Sequence, residues 1–143
     1  VAVHDIAAAL GDDAGAEVRG EPLVVPGDPV LLERLVQNLV ANAVRHNHPG
    51  GRVEITTGPE GLTVSNTGPE VPAEVVPLLF EPFRRLHERQ HTPGEGVGLG
   101  LSIVASIARA HDATVSATAN PGGGLTVRVA FGVLQPAYGG RAV

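Results

Sequence analysis

The chain has 143 residues, 43% of them hydrophobic, and a net charge of −5, which suits one ordinary domain with a buried core and excludes a disordered tail or a basic nucleic-acid module. All ten cationic residues are Arg and there is no Cys, so a Walker-A lysine, a kinase strand lysine, Schiff-base chemistry, thiol catalysis, disulfides and thiolate metal sites are all excluded. Aromatic residues make up only 3%, which predicts an aliphatic core.

No stretch approaches the roughly 20 apolar residues of a membrane span. The start at Val1 lacks the basic and apolar regions of a signal peptide and reads as a fragment of a longer protein. Val1 to Leu10 is expected to be extended, with a turn over Gly11 to Gly15. Two short strands are expected at Glu17 to Arg19 and Leu23 to Val25. Asp28-Pro29 is a helix start, since the carboxylate accepts from free amides while Pro occupies a position where no N–H is needed.

Leu32, Leu35, Val36, Leu39 and Ala43 recur at helical spacing, predicting a helix from Val30 to about His46 that stops at Asn47-His48-Pro49-Gly50-Gly51. Arg52 to Thr57 and Leu62 to Ser65 alternate as two strands of a hairpin, and a short helix is expected over Ala73 to Leu79. Phe83 to Glu95 has no regular period and reads as a surface loop. A second long helix covers Gly98 to about His111, and Thr114 to Ala119 with Leu125 to Val129 form a closing hairpin. The pattern predicts an α+β fold with helices on one face of a mostly antiparallel sheet. The domain is expected to run over 1–131 and to be followed by a flexible tail over 132–143.

Asn38, Asn42 and Arg45 stand at i, i+4 and i+7 of the first long helix. Amide oxygens suit a hard cation such as Mg²⁺ and Arg suits phosphate, although a solvated helix face has the same composition. Gly94, Gly96, Gly98 and Gly100 lead into a helix at spacing two, a place for exposed amides to meet a polyphosphate or, more plainly, a hinge. The spacing fits neither a Rossmann fingerprint nor a P-loop. Asn66-Thr67-Gly68-Pro69 follows a strand, where an amide could read the polar edge of a base or simply make a turn. Phe80-Glu81-Pro82-Phe83-Arg84-Arg85 could anchor one end of the loop and send arginines to phosphate. His46 and His48, or His87 and His91, lack a third ligand for zinc. His111 is expected to favour the helix end dipole.

Taken in order, Asn38 to His46, Asn66 to Pro69, Phe80 to Phe83 and Gly94 to Leu101 resemble the N, G1, F and G2 boxes of sensor histidine kinase catalytic ATP-binding domains. Gly122 to Val127 resembles that family's last glycine-containing hairpin. The resemblance covers about Asp28 to Val129 and implies the Bergerat ATP-binding fold, a two-layer α/β sandwich with a mixed, mostly antiparallel sheet, with ATP and Mg²⁺ as cofactors. It implies that Asn42 ligates Mg²⁺, with Asn38 a second candidate, that Arg45 and Arg85 contact phosphate, and that His46 covers the nucleoside. Asn66 would accept from the adenine amino group where the family usually has Asp, and Gly68 would let the base approach the backbone. Glu70 stands where the family has a glycine.

Further nucleotide contacts are implied for Val71, Phe80 and Thr126, and for the run Gly94, Gly96, Val97, Gly98, Leu99, Gly100 and Leu101, with Phe83 to Glu95 as the ATP lid. The implied activity is transfer of the γ-phosphate to a histidine on a separate helical hairpin absent from this chain, within a homodimeric, membrane-anchored bacterial kinase whose catalytic domain is cytoplasmic and which signals to a response regulator. His4-Asp5 is read as structural rather than as that phosphoacceptor. The alternatives are a nucleotide-binding pseudokinase used for docking and a serine kinase of the anti-sigma-factor type.

Overall fold

The computed structural model describes residues 1–81 and 96–131, with the backbone alone for 96–99. The elements, in chain order, are α1 (Val3–Ala14), β1 (Glu17–Gly20), α2 (Pro29–Arg45), β2 (Val53–Gly58), β3 (Gly61–Asn66), a 3₁₀ turn (Val76–Leu78), α3 (Gly96–Ala110), β4 (Thr114–Ala119) and β5 (Leu125–Ala130). The five strands form one sheet in the order β1-β2-β3-β5-β4. Only β1 and β2 run parallel; the other pairings are antiparallel.

Strand alternation sends Val53, Ile55, Leu62, Val64, Leu125, Val127 and Val129 to one face, where all three helices cover them. The other face carries Glu54, Thr56, Thr63, Ser65, Thr126 and Arg128. This is the expected α+β sandwich with an aliphatic core, in which Phe131 is the one fully buried aromatic residue among the described residues.

Helix α2 starts as its sequence dictates. The Asp28 carboxylate accepts from the amides of Val30 at 2.9 Å and Leu31 at 3.2 Å, and Pro29 follows it. Leu32, Leu35, Val36, Leu39, Val40 and Ala43 then form the buried stripe.

The first segment differs from expectation. Only Val1 and Ala2 are extended, bridging to residues around Val24, and a helix begins at Val3. Its buried residues are Val3, Ala7 and Gly11, spaced by four, and the many alanines favour helix intrinsically. Gly11 is at the contact with the sheet, where a β-carbon would stand 2.5 Å from Val18 Cγ2. Gly15 closes the helix at φ 76° and donates to Asp12, while Ala16 donates to Gly11. His4 therefore lies on a helix rather than on an extended segment, and its imidazole ties α1 to β2. Buried Thr57 donates to Glu21 O at 2.8 Å, so His4 Nδ1 must be the donor in its 2.6 Å bond to Thr57 Oγ1.

Two further expectations contract. Leu23 to Val25 makes a single bridge rather than a strand, although Leu23 and Val25 are buried. The helix expected over Ala73 to Leu79 is a 3₁₀ turn, since Pro72 and Pro77 supply no amide hydrogen. The second long helix begins at Gly96, two residues earlier than predicted.

Candidate functional site: a cavity between the first long helix and the exit of β3

A cavity of about 240 Å³ opens where the C-terminal half of α2 meets the segment following β3. Helix α2 contributes Asn42, with His46 as the residue that ends it. The exit of β3 contributes Asn66, and the chain beyond it adds Pro69, Glu70, Val71 and Pro72. Val75, Leu79 and Leu101 of α3 line it as well, and Gly124 and Leu125 come from the β4–β5 hairpin.

Two of these residues are polar and nearly inaccessible: Asn42 is 4% exposed and Asn66 is 5% exposed. Asn42 Oδ1 is buried without a hydrogen-bond partner among the described residues. A folded protein rarely tolerates such an orphan oxygen unless something else satisfies it. An amide oxygen in this state is a suitable donor to a hard cation, so the residues present fit Mg²⁺.

A hydrogen-bonded knot fixes the rim. Thr67 Oγ1 donates to Asn47 Oδ1 at 2.7 Å and accepts from the Arg52 amide at 2.7 Å, while Asn47 Nδ2 donates to Arg52 O at 2.9 Å. The end of α2 is thereby tied to the exit of β3. The glycine turn before β5 interlocks with the same segment: a β-carbon on Gly123 would strike Gly68 O, and one on Gly124 would strike Asn66 O. Asn120 adds a bond from Nδ2 to Asn66 O at 3.1 Å. Neither Asn47 nor Asn120 was singled out from sequence, because an Asn beside Gly and Pro reads simply as a turn residue.

The sequence-predicted site residues divide by location. Asn42, His46, Asn66, Val71 and Leu101 line the cavity together. Gly68 is at its rim, where a β-carbon would stand 2.6 Å from His46 O. Asn38 lies one turn away at the contact between α2 and α3, its Nδ2 donating to Arg34 O at 2.9 Å and its Oδ1 3.3 Å from where a β-carbon of Gly100 would be. Gly96, Val97, Gly98, Leu99 and Gly100 form the first turns of α3 rather than a separate loop. The opening amides of such a helix have no intrahelical acceptor.

Three other residues implied by the resemblance do not line this cavity. Arg45 borders a shallow apolar groove with Leu10, Val40 and Val44. Phe80 borders a groove with Leu31, Ile103 and Ile107. Thr126 is on the far face of the sheet, bonded to Ser65 at 2.8 Å and Asn120 at 2.7 Å, because alternation turns its neighbour Leu125 inward to the cavity. Leu125 is the cross-strand partner of Asn66, and that pairing is the signal that would have identified it. Arg85, Gly94, Phe83 and the expected lid lie outside the described residues.

The family model of histidine kinase-, DNA gyrase B- and HSP90-like ATPases matches residues 27–135. The chain belongs to this family. Among its relatives, the sensor protein CutS of Streptomyces coelicolor is 52% identical over 132 residues, which cover 87% of this chain and 32% of CutS. The chain thus spans about a third of that relative. Among solved structures, the mycobacterial sensor histidine kinase MprB superposes with a TM-score of 0.69 at 26% identity, covering 90% of this chain and 91% of that one. The ATP-binding domain of PrrB from Mycobacterium tuberculosis gives 0.59 at 25% identity over 89% and 91% of the two chains. The fold is thus that of the histidine kinase catalytic ATP-binding domain, and the cavity lies between α2 and the glycine-containing segments that follow β3 and precede β5.

Proposed function

We propose that this chain binds Mg-ATP in the cavity between α2, the exit of β3 and α3, and donates the γ-phosphate to a histidine on a separate helical hairpin of the same sensor kinase. The observation that carries the reading is the buried, unpartnered Oδ1 of Asn42 in a cavity shared with Asn66. Asn42 would hold Mg²⁺, with Asn38 as the neighbouring amide one turn earlier. When bound, Mg²⁺ neutralises charge on the phosphates.

The chain's own residues do the positioning. Asn66 accepts from the amino group of adenine, Val71 and Leu101 supply apolar wall, and His46 covers the open side. The resemblance assigns Arg45 and Arg85 to phosphate, Arg45 from outside the cavity lining. Transfer breaks the bond from the β,γ-bridging oxygen to the γ-phosphorus as a new bond forms to the acceptor imidazole nitrogen, and ADP leaves. Orientation and charge neutralisation carry the rate, since little covalent chemistry falls to the protein itself. The intact kinase is a membrane-anchored homodimer that passes the phosphoryl group to a response regulator.

The test is calorimetric titration with a non-hydrolysable ATP analogue, with and without Mg²⁺. Saturable binding that depends on Mg²⁺ is expected, and phosphohistidine should form when the hairpin is restored. Absence of binding at millimolar nucleotide overturns the reading. Binding without transfer to the restored hairpin favours a docking module instead.

A further inference from the structure

Asn66 poses a problem that a carboxylate would not. Its amide offers an acceptor at one end and a donor at the other, and a half-turn about the side chain exchanges them. With the oxygen toward the cavity it suits a purine carrying an amino group at its 6-position. With the nitrogen toward the cavity it suits a purine carrying an oxo group there.

The structure resolves the choice through the neighbouring peptide. One end of the Asn66 amide lies 2.7 Å from Thr67 O. A carbonyl oxygen only accepts, so the atom facing it must be the NH₂ group, whichever way the amide is drawn. Reversal would abandon that bond and set two oxygens together at a residue only 5% exposed. Thr67 is itself held on both sides, its amide donating to Arg52 O at 3.1 Å and its hydroxyl bonded to Asn47 Oδ1 and the Arg52 amide at 2.7 Å each. Gly51 lies against this knot with no space for a β-carbon, which would strike Asn47 Oδ1.

We propose that Asn47, by holding Thr67 and its carbonyl in place, makes Asn66 an acceptor only, and is thus a positioning residue for selectivity toward 6-amino over 6-oxo purine nucleotides. The inference rests on the cavity being a purine nucleotide site.

ADP and IDP differ in the 6-substituent and, with it, in whether N1 accepts or donates a hydrogen bond, and they are the probes. Their affinities are measured by calorimetry with Mg²⁺ for the 143-residue chain and for Asn47→Ala, Thr67→Val and Thr67→Ser. The unmodified chain should prefer ADP by about tenfold or more. Asn47→Ala and Thr67→Val should reduce the preference to about threefold or less, chiefly by improving IDP binding, and Thr67→Ser should restore it. A purely structural loosening would weaken both nucleotides alike, and an unchanged ratio in the variants overturns the proposal. Equal affinity of the unmodified chain for ADP and IDP does the same. Failure to bind either nucleotide removes the nucleotide reading itself, a result distinct from loss of preference. Should the variants fail to fold, side-chain amide exchange by NMR in the unmodified chain decides. Protection of an Asn66 NH₂ proton is expected, and exchange of both at the solvent rate overturns the assignment.

Discussion

Gly68 and His46 are so close that a β-carbon on the first would stand 2.6 Å from the carbonyl oxygen of the second. Gly68 also has φ 157°, a region that favours glycine. The contact seats the segment after β3 on the end of α2 and so fixes the cavity width. Gly68→Ala should lower stability by about 2 kcal/mol and weaken nucleotide binding at the same time. Thermal denaturation with a parallel titration checks this, and unchanged values for both would show that the segment yields freely.

Asn42 is a site where stability and binding should move in opposite directions. Its oxygen has no hydrogen-bond partner among the described residues, so Asn42→Leu, of similar size, should raise the stability of the nucleotide-free chain by about 1 kcal/mol. The same substitution should abolish the Mg²⁺-dependent part of nucleotide binding. A loss of stability would mean that Asn42 is structural.

Asp112 is the one non-glycine residue with positive φ among the described residues, at 56°, and it follows the end of α3. An L side chain is strained there, and a carboxylate near a helix C-terminus is also unfavourable. Asp112→Gly should therefore stabilise the chain by about 0.5–1 kcal/mol, read as a rise in Tm.

Thr57 is buried with its hydroxyl bonded to both Glu21 O and His4 Nδ1. Thr57→Val keeps the shape and strands both partners, which should cost about 2 kcal/mol. Hydrogen exchange should show α1 loosening first.

The exposed pair Arg128–Glu60, at 2.8 Å, supplies a contrast. Both side chains are more than half exposed, so Arg128→Ala should change stability by less than about 0.5 kcal/mol in a denaturation curve.

Much of this architecture is legible in the sequence. Helix α2 carries its own start in Asp28-Pro29 and its own stripe from Leu32 to Ala43, and β2, β3, β4 and β5 fall within a residue or so of where alternation puts them. Helix α1 is not legible as a helix because Val3 to Leu10 is mostly small and apolar, and periodicity has little contrast where nearly every position is hydrophobic. Motif order names Asn42, His46, Asn66, Val71 and Leu101 by local spacing, and these five line one cavity. Thr126 does not line the cavity, because the inward parity of β5 is set by its pairing with β3, which one strand alone does not reveal. Motif order passes over Asn47 and Asn120 because their partners, Thr67 and Asn66, are distant in sequence.

The sheet order places β5 against β3, so the wall formed by Gly124 and Leu125 reaches the cavity only after most of the chain has been made. Pairings between distant segments form slowly, since the intervening chain must be ordered first. During synthesis on the ribosome, α2 and the β2–β3 hairpin emerge before β5, so Asn42 and Asn66 precede the wall that Gly124 and Leu125 supply. Nucleotide can therefore help hold the finished domain together by mass action, but it has no complete pocket with which to guide the nascent one.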